Sequence, residues 1–393
     1  MFKNPEEKIN HLYLQQIGTN EDEKFGDLKY LIIEDKLPKV DGKINILEIG
    51  VGGGETIKKL KEQLYDRTDI NIIGLDSVVM FAQNFKTTVE SEAVVADAGM
   101  LPIKENSLSG VNASAILHEV SSYGVRAEKD HKVFGEEAVR RSLNEIKRCL
   151  AENGMLIYRD VACPPNRFEV KTVDYDRRSW QLFLDIYLPI LHKAGEEVCP
   201  EMFNEYTIGK KEDGISLKGT AQLQREIQRH YITFRDYFRK KVFPQMGVKV
   251  KQEDWVKKKE GAKRHILELT GEALEYYIAQ VNPEQRIGGI KKLDLSMSSD
   301  KYDDFTDGLM ENNLIEKDVD FHEEWLRREG SEIYTYFSSE EMKEVAEKDG
   351  EQGVLVADKM ELLPRYYYQR YLDRIIKNPE FEGKQTINFI KRV

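Results

Sequence analysis

The chain has 393 residues, 40% of them hydrophobic, so it exceeds one ordinary domain and carries enough apolar side chains for a sizeable core. A net charge of −11 excludes a global attraction to nucleic acid or to an anionic membrane, so any such affinity has to be local. The three cysteines, Cys149, Cys163 and Cys199, are odd in number and far apart, which points to reduced thiols in a cytoplasmic protein and implies no metal site. The charged first residues and the lack of any run of about 18 apolar residues lead us to expect neither a leader nor a membrane span.

In chain order, residues 1–43 read as two short helices, Glu6–Gln16 and Phe25–Lys36, closing on Pro38 and Gly42 and capping whatever site follows. Tyr13 and Phe25 are candidate ligand contacts, although aromatic residues on short helices more often pack. The stretch Ile44–Ile49 alternates apolar residues, ends in a glycine cluster and runs into a helical pattern (Ile57, Leu60, Leu64), which reads as strand, tight turn, helix. Glycines let backbone approach a ligand, and a helix start offers unpaired N–H groups. A dinucleotide fingerprint would put its third glycine where Glu55 stands, and a carboxylate there repels a pyrophosphate. What the segment does match is Glu-x-Gly-x-Gly-x-Gly (Glu48, Gly50, Gly52, Gly54). In this it resembles the first motif of the class I S-adenosylmethionine (SAM) methyltransferases, a Rossmann-like family whose ligand carries an ammonium and a sulfonium and no phosphate.

The second strand, Ile70–Asp76, ends 26 residues after Gly50, where a doubly wound fold places the carboxylate that accepts ribose hydroxyls. The bland reading of Asp76 is a cap for a helix starting near Ser77. The third strand, Ala93–Ala98, contains Asp97 and is followed by Leu101-Pro102. The resemblance implies that this acid accepts the adenine amino group, and that Glu48, Gly50, Gly52, Gly54, Asp76, Ser77, Asp97 and Ala98 hold SAM. The fourth strand, Gly110–Leu117, runs into a loop from His118 to Gly124 that would face the transferring methyl, because ligands sit outside the carboxyl ends of the strands. The Asn-Pro-Pro-Tyr or Asp-Pro-Pro-Tyr loop of family members acting on amino groups of adenine or glutamine does not occur here. Nor does the Pro-Cys pair of the cytosine-carbon enzymes, though Cys163 is placed loosely like their attacking thiol. His118 can take a proton from a hydroxyl or amine; the alternative is a histidine bonded to backbone or touching only the cofactor.

A helix, Glu136–Leu150, precedes the fifth strand, Met155–Val161, which carries Arg159 and Asp160 at its carboxyl end, read either as an internal ion pair or as part of the site. The candidate catalytic set is His118, Glu119, Tyr123 and Arg159. A minimal methyltransferase would then close its sheet, but the 169 residues from Ala162 to Gly330 intervene, and only after them do Ser338 and Glu341 open a capping box. A sixth strand, Gly353–Leu362, and a seventh, Lys384–Ile390, follow. The expectation is an α/β protein: a doubly wound, seven-stranded, mostly parallel sheet of the class I methyltransferase fold from residues 1–161 and 331–393, with an inserted, mainly helical substrate domain from 162–330.

Within the insert, Arg177–His192 and Ala221–Val242 show helical apolar spacing, and Arg229, His230 and Tyr231 are candidate acceptor contacts. Residues 235–265 carry 11 Lys/Arg against 4 Asp/Glu, and residues 300–332 carry 4 against 12. The basic run, with Trp255 and Tyr237 for stacking, could track RNA phosphates, or it could pair with the acidic run inside the domain. The resemblance implies a SAM-dependent methyltransferase acting by in-line displacement, on a small molecule in the first reading and on RNA in the second. A non-catalytic SAM-fold scaffold is a third reading, and a nicotinamide dehydrogenase is disfavoured by Glu55.

Overall fold

The computed structural model describes residues 21–33, 37–64, 66–128, 131–281, 290–312, 319–348 and 352–392. The expected helix Glu6–Gln16 and Tyr13 lie outside them. Seven strands form one sheet: β1 (Ile44–Ile49), β2 (Ile70–Asp76), β3 (Glu92–Val95), β4 (Leu108–Ser114), β5 (Leu150–Val161), β6 (Val354–Pro364) and β7 (Gly383–Arg392). Their order is β6-β7-β5-β4-β1-β2-β3, with β7 antiparallel to both neighbours and the other pairings parallel. This is the doubly wound, mostly parallel sheet expected. Its strand order reverses between β1 and β4, where such sheets open a crevice at the carboxyl ends.

Helices cover both faces of the sheet, so its inner strands are buried nearly throughout, and the two-residue period decides where each of their polar residues points. Leu47, Ile49, Leu156 and Tyr158 face one hydrophobic cluster. Ile44, Ile46, Met155 and Ile157 face the other, where Leu28 and Leu31 of the helix Glu21–Ile33 pack. The helix Ser339–Glu347 starts with the expected capping box: Ser338 Oγ accepts from Glu341 N at 3.3 Å and Ser338 N donates to Glu341 Oε2 at 2.8 Å.

Three boundaries near the site differ from expectation. The fourth strand stops at Ser114 and residues Leu117–Tyr123 form a helix, so His118 sits in a helical first turn and not in a loop. The third strand stops at Val95, which leaves Asp97 in the turn beyond it. The helix before β5 ends at Cys149, and β5 begins at Leu150.

Long helices dominate residues 162–330, among them Arg178–Val198, Ala221–Lys241 and Ser299–Asn312, as the spacing predicts. Two three-stranded antiparallel sheets accompany them, which the sequence did not announce. The strand Val248–Lys257 shows why: every residue after its first is exposed and most are charged, so it carries no apolar alternation. Trp180 stacks on Tyr231 at 3.7 Å in the core of this region. The helix Tyr366–Ile375, between β6 and β7, adds Tyr371 and Leu372 to that same core, so residues 331–393 contribute to both bodies. Among the described residues no helix is long and apolar enough to cross a membrane.

Candidate functional site

A cavity of about 1560 Å³ lies between the carboxyl ends of the parallel strands and the region 162–330. Its first wall is the turn after β1 with the ends of β2 and β3. Gly50, Gly52 and Gly54 have φ of 74°, 52° and 78°, the left-handed region that other residues rarely adopt. A Cβ on Gly50 would stand 2.6 Å from Ile116 Cδ1, and one on Gly54 2.8 Å from Val89 Cγ2, so both glycines also answer to packing. Gly50 and Gly52 line the cavity; Gly54, the N-cap of the helix Glu55–Gln63, does not.

Asp76 ties this wall together, its Oδ2 accepting from Gly52 N at 3.4 Å and its Oδ1 from Val78 N at 3.0 Å. Asp76 lines the cavity and is not the expected cap, because the next helix starts at Val79 with Val78 as its N-cap and no side-chain cap bond. Asp97 is fixed in the same manner by Gly99 N at 2.8 Å and Arg126 N at 3.1 Å, and it lines the cavity beside Ala98, with Ser77 nearby. Glu48 does not reach the cavity. It shares the Ile46 face of β1, where it is buried and accepts from Asn112 Nδ2 of β4 at 2.7 Å.

The second wall forms around His118, whose Nδ1 meets Asp160 Oδ1 at 2.8 Å while its backbone N donates to Asp160 Oδ2 at 3.0 Å. Tyr336 OH donates to the same carboxylate at 2.9 Å. The other ring nitrogen, Nε2, faces Glu332 Oε2 at 3.7 Å, and Tyr123 OH donates to Glu332 Oε1 at 3.1 Å. Burial pushes the His118 pKa down, but the negative charges of Asp160, Glu332 and Glu119 outweigh it and raise it to about 9. His118 therefore does not titrate near neutrality as its residue type alone suggests. His118, Glu119 and Glu332 also bring ligand atoms within 4.8 Å of one another, a set that could hold a metal ion although the sequence implied none.

Arg159 points away from the cavity. It alternates with Asp160 along β5, so it faces the opposite side of the sheet, where it is held by both carboxylate oxygens of Asp27 on the helix Glu21–Ile33. Its place is that of an anchor for this helix, not of a group near the reacting atoms.

Of the three residues proposed from the insert, Arg229 lines the cavity. The ring nitrogens of His230 meet the carbonyl oxygens of Glu226 at 2.9 Å and Glu329 at 3.0 Å, and Tyr231 is buried against Trp180. The opposed charge runs meet at three bases: Arg235 and Arg239 bind Asp303 at 3.3 and 2.7 Å, and Lys241 binds Glu324 at 2.9 Å. Lys257 pairs with Glu260 at 3.1 Å, and Lys263 lies 4.5 Å over the Trp255 ring. Cys163 is buried off the cavity, and burial pushes its thiol well up, the reverse of what an attacking thiolate needs.

Asp160, read at the strand's end beside Arg159 but left out of the catalytic set, belongs to the site, and Glu332, Tyr334 and Tyr336 were not singled out at all. The two-residue spacing of the last three was a signal: along the segment 331–338 these side chains reach Tyr123, His118 and Asp160 in turn.

Residues 47–158 match the protein family described as "Methyltransferase domain". Among solved structures, a SAM-dependent methyltransferase from Aquifex aeolicus is similar at 14% identity over 54% of this chain and 98% of its own, with a TM-score of 0.29. The PH0226 protein from Pyrococcus horikoshii OT3 is similar at 10% identity over 98% and 93%, with a TM-score of 0.35. DszA carbon methyltransferase is similar at 20% identity over 37% of this chain and only 36% of its own length, with a TM-score of 0.27. No curated protein matches the sequence.

Proposed function

We propose that the chain, whose residues 47–158 match the methyltransferase-domain family, is a class I SAM-dependent methyltransferase that transfers the methyl group of SAM to a small-molecule acceptor whose reacting atom carries a proton. When bound, SAM supplies an electrophilic methyl group on a cationic sulfonium. Gly50, Gly52, Asp76, Ser77, Asp97 and Ala98 would hold it, and the fit rests on their chemistry: a left-handed glycine turn with two carboxylates fixed by backbone N–H groups along one wall of a cavity.

The observation that carries the reading is His118, clamped at Nδ1 by Asp160 and with Nε2 3.7 Å from Glu332 Oε2, all three residues lining the same cavity. Asp160 fixes the ring and stabilises its protonated form, so Nε2 is the atom that would take the acceptor's proton. A pKa of about 9 makes His118 a strong base that is mostly protonated at neutrality, so the rate should climb as pH rises toward 9. Glu119 and Glu332 add negative potential where a cationic sulfonium would lie. A small acceptor is favoured over RNA because the cavity is walled on its far side by the insert and the first part of the basic run, Arg235, Arg239 and Lys241, is paired with the acidic run.

The test is incubation of the purified chain with methyl-labelled SAM and fractionated cell extract, from about pH 6 to 10. Label in small metabolites, increasing toward pH 9, is the expected result. Label in RNA would overturn the acceptor class, and SAM binding without transfer to any fraction would make the chain a scaffold.

A further inference from the structure

Beside the carboxyl end of β5, three guanidinium groups converge on one fully buried carboxylate. Arg225 Nη1 meets Glu382 Oε2 at 2.6 Å, Arg365 Nη1 meets Glu382 Oε1 at 3.4 Å, and Arg229 Nη1 stands off at 3.7 Å from that same oxygen. Arg225 also donates from Nε to Ala162 O at 3.2 Å, just past the strand's end. Arg229 is surplus to this cluster: its Nε and Nη1 are buried without a hydrogen-bond partner among the described residues. Buried charged donors left in that state are costly, and in native structures they ask for an explanation.

The other nearby acids are engaged elsewhere. Glu226 accepts from Tyr334 N, Thr335 N and Thr335 Oγ1 at 3.0, 3.0 and 2.6 Å, and Glu329 accepts from Tyr334 OH at 2.6 Å. Arg229 and Arg365 both line the cavity. Arg229 lies 5.0 Å over the ring of Tyr334, and the ring of His118 lies 4.7 Å from that of Tyr334. Tyr334 thus acts as a spacer between a guanidinium with unused donors and the imidazole proposed to take the proton.

We infer that Arg229, seconded by Arg365, binds an anionic group of the acceptor, a carboxylate or a phosphate, and so sets the acceptor's proton-bearing atom against His118. This subsite deepens the methyl-transfer reading and rests on it for the identity of the ligand as an acceptor. Arg229 is a specificity residue here: its planar fork suits oxyanions, and a lysine keeps the charge but loses the fork.

The full chain is titrated by calorimetry with inorganic phosphate and, separately, with benzoate, each with and without S-adenosylhomocysteine. We expect at least one of the two anions to bind, Arg229→Met to weaken it about tenfold or more, and Arg229→Lys to restore part of the loss, while S-adenosylhomocysteine affinity stays within about twofold. Binding of phosphate alone or of benzoate alone supports the subsite and tells which anion the acceptor carries. Absence of binding by either anion, or equal binding by Arg229→Met, overturns it. If Arg229→Met loses its cooperative thermal transition, Arg365→Met decides, with a weakening of about threefold or more expected and unchanged affinity contradicting the subsite. Failure of the wild-type chain to bind S-adenosylhomocysteine would sink the methyl-transfer reading alone, since the titrations without it still report on the anion.

Discussion

The cavity's two walls are assembled differently. The wall under β1, β2 and β3 comes from one stretch, Gly50 to Ala98, and is held by backbone N–H groups bonding to Asp76 and Asp97. The opposite wall gathers His118, Asp160, Arg229, Glu332 and Arg365 from separate elements, and its polar groups mostly bond to one another. A wall made of turns tolerates change elsewhere in the chain, because its geometry is local. A wall made of long-range polar contacts depends on the packing of the sheet, the segment 331–338 and the insert together, so on the proposed reading the choice of acceptor can vary there while the wall proposed for SAM stays the same.

The sharpest way to separate the walls is His118→Ala. Loss of a positioned base should lower kcat by about 10²–10⁴-fold on the acceptor found with labelled SAM, with S-adenosylhomocysteine affinity changed by less than about threefold. Equal losses in both would merge the two walls into one functional unit. Next in size is Arg159→Met, which strands the buried carboxylate of Asp27 without its guanidinium and should cost about 3–5 kcal/mol in denaturant unfolding. Binding of S-adenosylhomocysteine should survive in that variant under native conditions; a selective loss of catalysis with stability unchanged would return Arg159 to the site.

A smaller effect tests the charge state of the second wall. The His118 pKa is about 9 in the folded chain against an ordinary value of 6.5. The stabilisation from its protonated form is therefore fully present below pH 6.5 and is lost as pH rises through 9. The thermal midpoint of the wild type should fall relative to His118→Asn across that interval and level off above it. A constant difference between the two proteins from pH 6 to 10 would show that the three carboxylates do not hold the proton on the ring.

The contrast between the walls also explains what could be read from the sequence. The seven-stranded sheet, the glycine turn, Asp76, Asp97 and the capping box at Ser338 were legible because each is written in adjacent residues: an alternating strand, a glycine cluster, an acid at a strand's end. Glu48 belongs to the same motif, but the strand's parity turns it toward Asn112 and away from the cavity. Parity also separates Arg159 from Asp160, and reading those neighbours as a pair overlooked it. Glu332 and Tyr334 carry a two-residue spacing, but they meet the cavity only because the segment 331–338 is brought against the helix Leu117–Tyr123, and the spacing alone does not give that placement. The strands of the insert were hidden because their outer faces are charged, and three bases of its basic run, Arg235, Arg239 and Lys241, pair with its acidic run.

The central claim is that the wall from Gly50 to Ala98 binds SAM, and calorimetry with S-adenosylhomocysteine on the wild type, Gly52→Val and Asp76→Ala tests it most directly. The account predicts one site per chain in the wild type. Gly52→Val should bind nothing measurable, because its side chain would enter the cavity from a left-handed backbone position, and Asp76→Ala should bind about 10-fold to 100-fold more weakly through loss of a charged acceptor. Wild-type affinity in both variants would contradict it.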